Sequence, residues 1–269
     1  MMTDKVLYRQ DGQIVTITLN DPAMRNPISE RETVDAIVAA IERLNQDGTA
    51  RVAILTGAGT AFSSGGDLRA MQKALDERAD KPAQTTHYYK FGIQWIPLAF
   101  EKLDVPIIAA VNGPAAGGGL ALVCASDIRI AATSAVFSTS FIRIGVTGCD
   151  IGTSWLLPRL VGAARAHELM LTSRRFDAAE ALRIGLVTDV VPPEALAKRV
   201  ASTVDALLQA PPLSLSLTKQ GMWLALEIPS FDAMVEVENR QQVLTAATED
   251  AAEAMASYTG RRPPHYRNR

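Results

Sequence analysis

Two glycine-rich turns are the parts of this sequence best suited to chemistry. One contains Gly65 and Gly66 within residues 59–68, and the other contains Gly117, Gly118 and Gly119 within residues 111–120. Glycine lets a ligand atom approach a backbone N–H without interference from a Cβ. The first N–H groups of a following helix also have no partner inside that helix. Two such turns brought together could bind one oxygen atom that gains negative charge, as an oxyanion hole does.

Glycine-rich turns between a strand and a helix have other uses as well. They allow tight packing, and they can bind phosphate. Neither turn contains the lysine signature of a P-loop or a well-spaced GxGxxG followed by an acidic residue. Because there are two turns, each after a buried strand pattern, the oxyanion hole is favoured over packing alone.

Apolar strands alternating with helices are expected to position these turns. Predicted strands cover residues 14–19, 52–57, 106–113, 128–131 and 187–191. A helical stripe covers residues 29–44, and Ser29 with Glu32 predicts a capping box at its start. This alternation predicts an α/β fold in which both faces of the sheet are covered.

The pattern changes near residue 194. Beyond Pro192 and Pro193 strand patterns stop, and helical stripes fill residues 196–208, 213–226, 231–244 and 248–258. We therefore predict a core of residues 1–193, which holds the site, and a helical C-terminal region of residues 194–269. The polar composition between Lys73 and Thr86 predicts a mobile surface loop.

Composition excludes several classes of function. The net charge of −2 and the absence of a lysine-rich helix argue against a nucleic-acid partner. No segment approaches the roughly 20 apolar residues of a membrane helix, and no apolar run of signal-peptide length begins the sequence. Two cysteines, Cys124 and Cys149, cannot form a disulfide framework and lack nearby metal-ligand partners. We expect a metal-free cytoplasmic protein that does not bind membranes.

Several motifs together resemble those of the crotonase (enoyl-CoA hydratase/isomerase) superfamily. The similarity covers nearly the whole chain, and its most specific parts are the two glycine turns. The motifs are Ala61-Phe62-Ser63-Ser64-Gly65-Gly66-Asp67-Leu68, Asn112-Gly113-Pro114-Ala115-Ala116-Gly117-Gly118-Gly119, Ser126-Asp127-Ile128-Arg129-Ile130-Ala131, Leu157-Pro158-Arg159-Leu160-Val161-Gly162 and residues 178–187. The resemblance implies a spiral of repeated ββα units, with C-terminal helices that form a homotrimer or a hexamer.

The resemblance also implies a site for an acyl-CoA substrate. Coenzyme A would be part of that substrate, with no permanently bound cofactor. The backbone N–H groups of Gly66 and Gly118 would bind the thioester oxygen. The implied coenzyme-binding residues are Ala61, Phe62, Ser64, Gly65, Asp67 and Leu68, with Arg25, Tyr258 and Arg261 near the nucleotide. Arg25 and Arg261 fit a solvated surface charge equally well, and Asp67 and Asp127 fit helix capping or another structural role.

Two positions depart from the pattern of the hydratases in this superfamily. The resemblance implies a pair of glutamates flanking a water molecule, and this chain has Ala121 and Phe141 at those positions. General acid–base groups contribute about 100- to 10,000-fold each. Efficient addition of water to a 2-enoyl thioester is therefore not expected.

Asp150 is the remaining candidate for an acid or base. It lies in a turn that relatives direct at the acyl group, where dienoyl-CoA isomerases and chlorobenzoyl-CoA dehalogenases carry an aspartate. The dehalogenase alternative also needs a histidine, and near that place this chain has Gln94 and Trp95. Asp150 could instead cap the helix that follows it.

The sequence thus predicts an acyl-CoA enzyme that works through a stabilised enolate, with isomerase activity favoured over efficient hydration. Gly66, Gly118 and Asp150 are its candidate catalytic residues. Two alternatives remain open at this point. One is an acyl-CoA-binding protein without activity, and the other is a hydrolase or dehalogenase-like enzyme acting on an aryl or cyclic acyl-CoA.

Overall fold

The structure, a computed structural model, describes residues 4–77 and 81–268. The strands are β1 (Val6–Asp11), β2 (Ile14–Leu19), β3 (Val52–Gly57), β4 (Ile107–Val111), β5 (Ala115–Ala116), β6 (Ile128–Ala132), β7 (Val136–Ser138), β8 (Phe176–Asp177) and β9 (Asp189–Val191). The helices of the N-terminal part are α1 (Arg31–Gln46), α2 (Leu68–Asp76), α3 (Pro82–Lys90), α4 (Trp95–Glu101) and α5 (Gly118–Ala125). The later helices are α6 (Thr153–Val161), α7 (Ala163–Thr172), α8 (Ala178–Arg183), α9 (Leu196–Leu208), α10 (Pro212–Leu224), α11 (Phe231–Ala246) and α12 (Glu249–Gly260).

The strands form two sheets. The larger sheet has the order β1-β2-β3-β4-β6-β9, and the smaller has the order β5-β7-β8. Only the β1–β2 pair of the larger sheet is antiparallel. Two successive segments, β4-β5-α5 and β6-β7-α6, repeat the same strand–strand–helix order. The predicted α/β class is confirmed.

The parallel register explains where the glycine turns lie. In the β2–β3 pair Leu19 is opposite Gly57, and in the β3–β4 pair Leu55 is opposite Ala109. Neighbouring parallel strands end at the same edge of a sheet, so the segments after β3 and β4 leave the sheet side by side.

Helices cover both faces of the larger sheet. On one face, Leu196, Val200 and Val204 of α9 form a buried cluster with the strand residues Val52 and Ile108. The other face belongs to the main core, which includes the apolar side of α1. The division at residue 194 stays a prediction, and the packing of α9 places that helix on the core sheet.

A buried ion pair connects α10 to the sheet. Lys219 Nζ lies 2.8 Å from Asp127 Oδ2 and donates to the carbonyl of Val105 at 2.9 Å. Asp127 Oδ2 also accepts from the backbone N–H of Ile107. Burial lowers the pKa of Lys219, and the neighbouring Asp127 opposes that shift. Asp127 therefore has a structural role, as the sequence suggested.

Two local expectations were wrong, and one strand was not predicted. Helix α1 begins after Glu30 without a side-chain cap, so Ser29 and Glu32 do not form a capping box. The polar stretch between Lys73 and Thr86 is helical over most of the described part, because it belongs to α2 and α3; residues 78–80 lie outside the described residues. The edge strand β1 was not predicted, because polar residues fill its second half and leave no clear apolar alternation in its sequence.

In the part of the chain that the structure describes, no helix is both long and apolar enough to cross a bilayer.

Candidate active site

The two glycine turns are hydrogen-bonded to each other. The backbone N–H groups of Phe62 and Ser63 donate to the carbonyl of Pro114 at 3.0 and 3.2 Å. In return, the N–H of Ala116 donates to the carbonyl of Ser63 at 3.0 Å. The segment after β3 thus runs parallel to the segment after β4, and this pairing fixes their relative position.

Close approach of the two backbones requires glycine. A Cβ on Gly65 would lie 2.4 Å from the carbonyl oxygen of Ala116 and 2.7 Å from the amide nitrogen of Gly118. A Cβ on Gly119 would lie 2.4 Å from the carbonyl oxygen of Ser63. Gly65 and Gly117 also have positive φ angles of 82° and 50°, which other residues rarely adopt. The sequence places glycine where the two turns touch.

Two backbone amides of these turns border the same cavity. Gly66 and Gly118 both line it, and Gly118 is the first residue of α5. The N–H of a first helical residue has no partner within its helix. Among the described residues, neither amide donates a hydrogen bond to a protein acceptor. Both donors are thus left to bind a ligand atom.

The cavity has a volume of about 350 Å³ and a mostly apolar wall. The apolar residues of the wall are Leu68, Met71, Ala74, Tyr89, Ile93, Phe141, Ile144, Val146 and Ile151. The polar residues of the wall are Ser29, Ser64, Ser140, Arg143 and Asp150. In such surroundings a hydrogen bond to a developing anion is stronger than it is in water.

Asp150 is the one carboxylate on this wall within the described residues. Its Oδ1 atom accepts from Gln94 Nε2 at 2.8 Å and from the N–H of Ile151 at 2.9 Å. Its Oδ2 atom accepts no hydrogen bond from any residue that the structure describes. Helix α6 has Gly152 at its N-cap and no side-chain cap bond, so the expected alternative of a capping role for Asp150 is wrong.

Comparison with known proteins shows the family of this chain. The sequence profile of the family described as enoyl-CoA hydratase/isomerase matches residues 9–269. The chain belongs to the enoyl-CoA hydratase/isomerase family. The resemblance seen in the sequence is confirmed, and the protein is related to enzymes that act on CoA thioesters.

Individual members of the enoyl-CoA hydratase/isomerase family align over most of both chains. A probable enoyl-CoA hydratase, echA12, of Mycobacterium bovis is 37% identical over 91% of this chain and 87% of its own. The 1,2-epoxyphenylacetyl-CoA isomerase of Escherichia coli is 32% identical over 98% and 99%. The (E)-benzylidenesuccinyl-CoA hydratase of Thauera aromatica is 34% identical over 97% and 98%.

The fold of the family is found in solved structures too. An enoyl-CoA hydratase subunit from Geobacillus kaustophilus superposes with a TM-score of 0.88 at 31% identity, over 100% of both chains. The predicted crotonase-like fold is confirmed.

The positions implied for the hydratase glutamates contain no acid in this family member. Ala121 lies in α5, is buried and does not line the cavity. Phe141 does line the cavity, and its ring lies beside Gly117, where an added Cβ would be 3.7 Å from Phe141 Cε1. At the second of the two implied positions the cavity wall therefore carries an aromatic ring.

The candidate coenzyme-binding residues near the first turn divide into two groups. Ser64, Gly65 and Leu68 line the cavity beside Gly66. Ala61 and Phe62 do not, because their side chains are 3% and 0% exposed and belong to the core. The structure thus does not bring the side chains of Ala61 and Phe62 to the site.

Asp67, another candidate from the first turn, caps a helix. Its Oδ1 atom accepts from the N–H groups of Arg69 and Ala70 at 2.9 and 3.3 Å, which caps the start of α2. It does not line the cavity.

The three candidates near the nucleotide lie away from this cavity in the single chain. Arg25 has a left-handed backbone and an exposed side chain, and its carbonyl accepts from the N–H of Ser64 at 2.8 Å. Tyr258 and Arg261 border a separate cavity of about 550 Å³, together with Gln209 and Tyr266. Tyr258 is 89% exposed.

The structure adds residues that the sequence did not single out for the site. The Oγ atom of Ser29 accepts from the N–H of Asp67 at 2.9 Å, and Ser29 lines the cavity, so it connects the segment before α1 to the first turn. Arg143 also lines the cavity, and Gln94 contacts Asp150. The local sequence pattern could not predict these positions, because they depend on how elements that are distant in sequence pack together.

Proposed function

We propose that this protein moves a proton on the acyl group of an acyl-CoA thioester, with the enolate stabilised by the N–H groups of Gly66 and Gly118. The observation that carries the proposal is a pair of amides on one apolar cavity that have no acceptor among the residues the structure describes. The turns that hold them are in direct contact. When a proton leaves the carbon next to the thioester, negative charge develops on the thioester oxygen, where two donors stabilise it most.

Asp150 is the proposed acid and base. Its Oδ1 atom is occupied by two donors, which leaves Oδ2 to accept a proton from carbon 2 of the acyl group. In a double-bond isomerisation the protonated Asp150 returns that proton at carbon 4, and the electron pair shifts from the enolate into the new carbon–carbon double bond. Isomerisation needs one such group, whereas hydration implies a second carboxylate, and Ala121 and Phe141 supply none.

Coenzyme A enters this site as part of the substrate. The proposed path of its pantetheine arm follows Ser64, Gly65 and Leu68 into the cavity, which these residues line. For its nucleotide we propose Arg25, together with Tyr258 and Arg261 of a neighbouring subunit. The exposure of Tyr258 in the single chain supports a partner at this place.

An aromatic acyl group is the substrate class that the site supports best. Two relatives are named for acyl groups that carry a phenyl ring, the 1,2-epoxyphenylacetyl-CoA isomerase and the (E)-benzylidenesuccinyl-CoA hydratase. The cavity wall is apolar and includes the rings of Tyr89 and Phe141. Aromatic rings pack well against such side chains.

A panel of thioesters tests the proposal. We expect 3-enoyl-CoA substrates with a phenyl group to be converted to conjugated products. Hydration of crotonyl-CoA is expected to be slower than this isomerisation by about 100-fold or more, because a second acid–base group is missing. Absorbance and mass distinguish the two reactions, since only hydration adds a water molecule. Tight binding of every thioester with neither turnover nor exchange of the carbon 2 proton in D₂O would instead support a binding protein.

We also propose that the C-terminal helices form a homotrimer or a dimer of trimers. Large apolar side chains are exposed on α10, α11 and α12, namely Met222, Phe231, Val235, Val243, Leu244, Met255 and Tyr258. Exposed apolar surface of this kind is typical of an interface between subunits. Sedimentation equilibrium is expected to give three or six times the monomer mass of 28.9 kDa. Charged substitutions at Phe231 and Leu244 should lower that mass, and a monomeric wild-type protein would contradict the assembly.

A further inference from the structure

Gln94 donates the one side-chain hydrogen bond that the Asp150 carboxylate accepts among the described residues. It lies directly before α4, and its Nε2 atom donates to Asp150 Oδ1 at 2.8 Å. The two residues are 56 positions apart in sequence. An ionised carboxylate only accepts hydrogen bonds, so the NH₂ group of Gln94 must face it.

A second cleft shows from which side Gln94 reaches the carboxylate. This cleft has a volume of about 390 Å³ and lies between α4, the turn before α6, and α10. Asp150 lines both this cleft and the cavity bordered by Gly66 and Gly118, which is called the acyl cavity below, whereas Gln94 lines the cleft alone. Gln94 thus contacts Asp150 from this second cleft and is not part of the wall of the acyl cavity.

We infer that Gln94 is a positioning residue that holds one oxygen of Asp150 so that the other faces the acyl group. This inference depends on the proposed role of Asp150 as acid and base. Oδ1 is held by two donors, Gln94 Nε2 and the N–H of Ile151, and Oδ2 has no partner among the described residues. The Ile151 amide belongs to the adjacent peptide, so it holds Oδ1 relative to the local backbone, whereas Gln94 holds Oδ1 relative to the start of α4, an element 56 positions away in sequence.

The chemistry of the amide fits this task. An amide carries no charge, so it orients the carboxylate without the Coulomb attraction through which a lysine or an arginine would oppose protonation. A carboxylate that alternates between base and acid in one turnover needs both protonation states to remain accessible.

Gln94→Met tests the inference, because methionine has a similar length and no donor. We expect kcat for exchange of the carbon 2 proton of phenylacetyl-CoA in D₂O, followed by NMR, to fall about 10- to 100-fold. KM should stay within about twofold, since Gln94 lies outside the acyl cavity. Gln94→Glu should lower kcat further, because a second carboxylate repels the first. Glu101→Gln changes another residue of the same cleft and is expected to leave both constants as they are.

The Asp150→Asn background separates this inference from the proposed function. With Asp150 replaced, the additional change Gln94→Met should alter the residual exchange rate less than about twofold, since coupled residues are not additive. If Asp150→Asn alone leaves exchange unchanged, the acid–base role itself is wrong. If Asp150→Asn slows exchange but Gln94→Met does not, or if Gln94→Met raises KM as much as it lowers kcat, only the positioning role is overturned. Thermal unfolding midpoints of all variants show whether a loss of activity is caused by a loss of folding stability.

Discussion

Replacing Gly118 with proline is expected to lower kcat about 100- to 1000-fold, because it removes one of the two N–H donors that we propose stabilise the enolate oxygen. Gly118 is the first residue of α5, and proline is tolerated at this position of a helix, where the N–H has no partner within the helix. The substitution should therefore remove the donor while α5 still forms. The measurement is kcat for exchange of the carbon 2 proton, compared with the wild-type protein.

Gly118→Ala is the matched control. It adds the same Cβ, which would lie 3.1 Å from Ile28 Cδ1 and 3.2 Å from Ile151 Cδ1, but it keeps the N–H. Both neighbours are ends of flexible side chains, so we expect the alanine variant to retain most of its activity. Equal losses in the two variants would assign the effect to packing, and a folded proline variant with normal kcat would exclude Gly118 as a donor.

Replacing Asp150 with asparagine is expected to lower kcat about 100- to 10,000-fold, the range for loss of a general acid–base group. Asparagine has the same shape and can still accept from Gln94 through its carbonyl oxygen, but it cannot take up a proton. Because Gly66 and Gly118 are the proposed ligands of the thioester oxygen, binding of acyl-CoA should be retained. Kinetics on a phenyl-substituted 3-enoyl-CoA and calorimetric binding of a saturated analogue measure the two quantities separately.

Asp177→Asn provides a comparison for that result. Asp177 Oδ1 accepts from the N–H of Glu180 and caps α8, and asparagine caps a helix about as well as aspartate. This variant should therefore match the wild-type rate. An Asp150→Asn enzyme that also keeps the wild-type rate would show that another group moves the proton.

The regular elements of the core were largely predictable from the sequence. Strand β2 and helix α9 have the predicted bounds, because a single apolar face repeats with a clear period in each. The error between Lys73 and Thr86 has a physical cause. Leu68, Met71 and Ala74 place an apolar side of α2 against the acyl cavity, and this short stripe is outweighed by the charged residues around it.

The glycines of the two turns could be recognised from the sequence, because the backbone conformation at each position decides which residue type fits there. A positive φ at Gly65 and Gly117, and a backbone approach that excludes a Cβ, restrict the residue type directly. The missing acids at positions 121 and 141 were likewise visible in the residue types themselves.

Only the tertiary structure decided which side chains complete the site. In the structure Phe62 lies in the core, and Ser29 lies on the cavity wall and does not cap a helix as predicted. Gln94 contacts Asp150 although the two residues are far apart in sequence. Local sequence governs backbone conformation and periodicity, whereas these contacts depend on how the elements pack. The directions of the Asp150 oxygens follow from that packing.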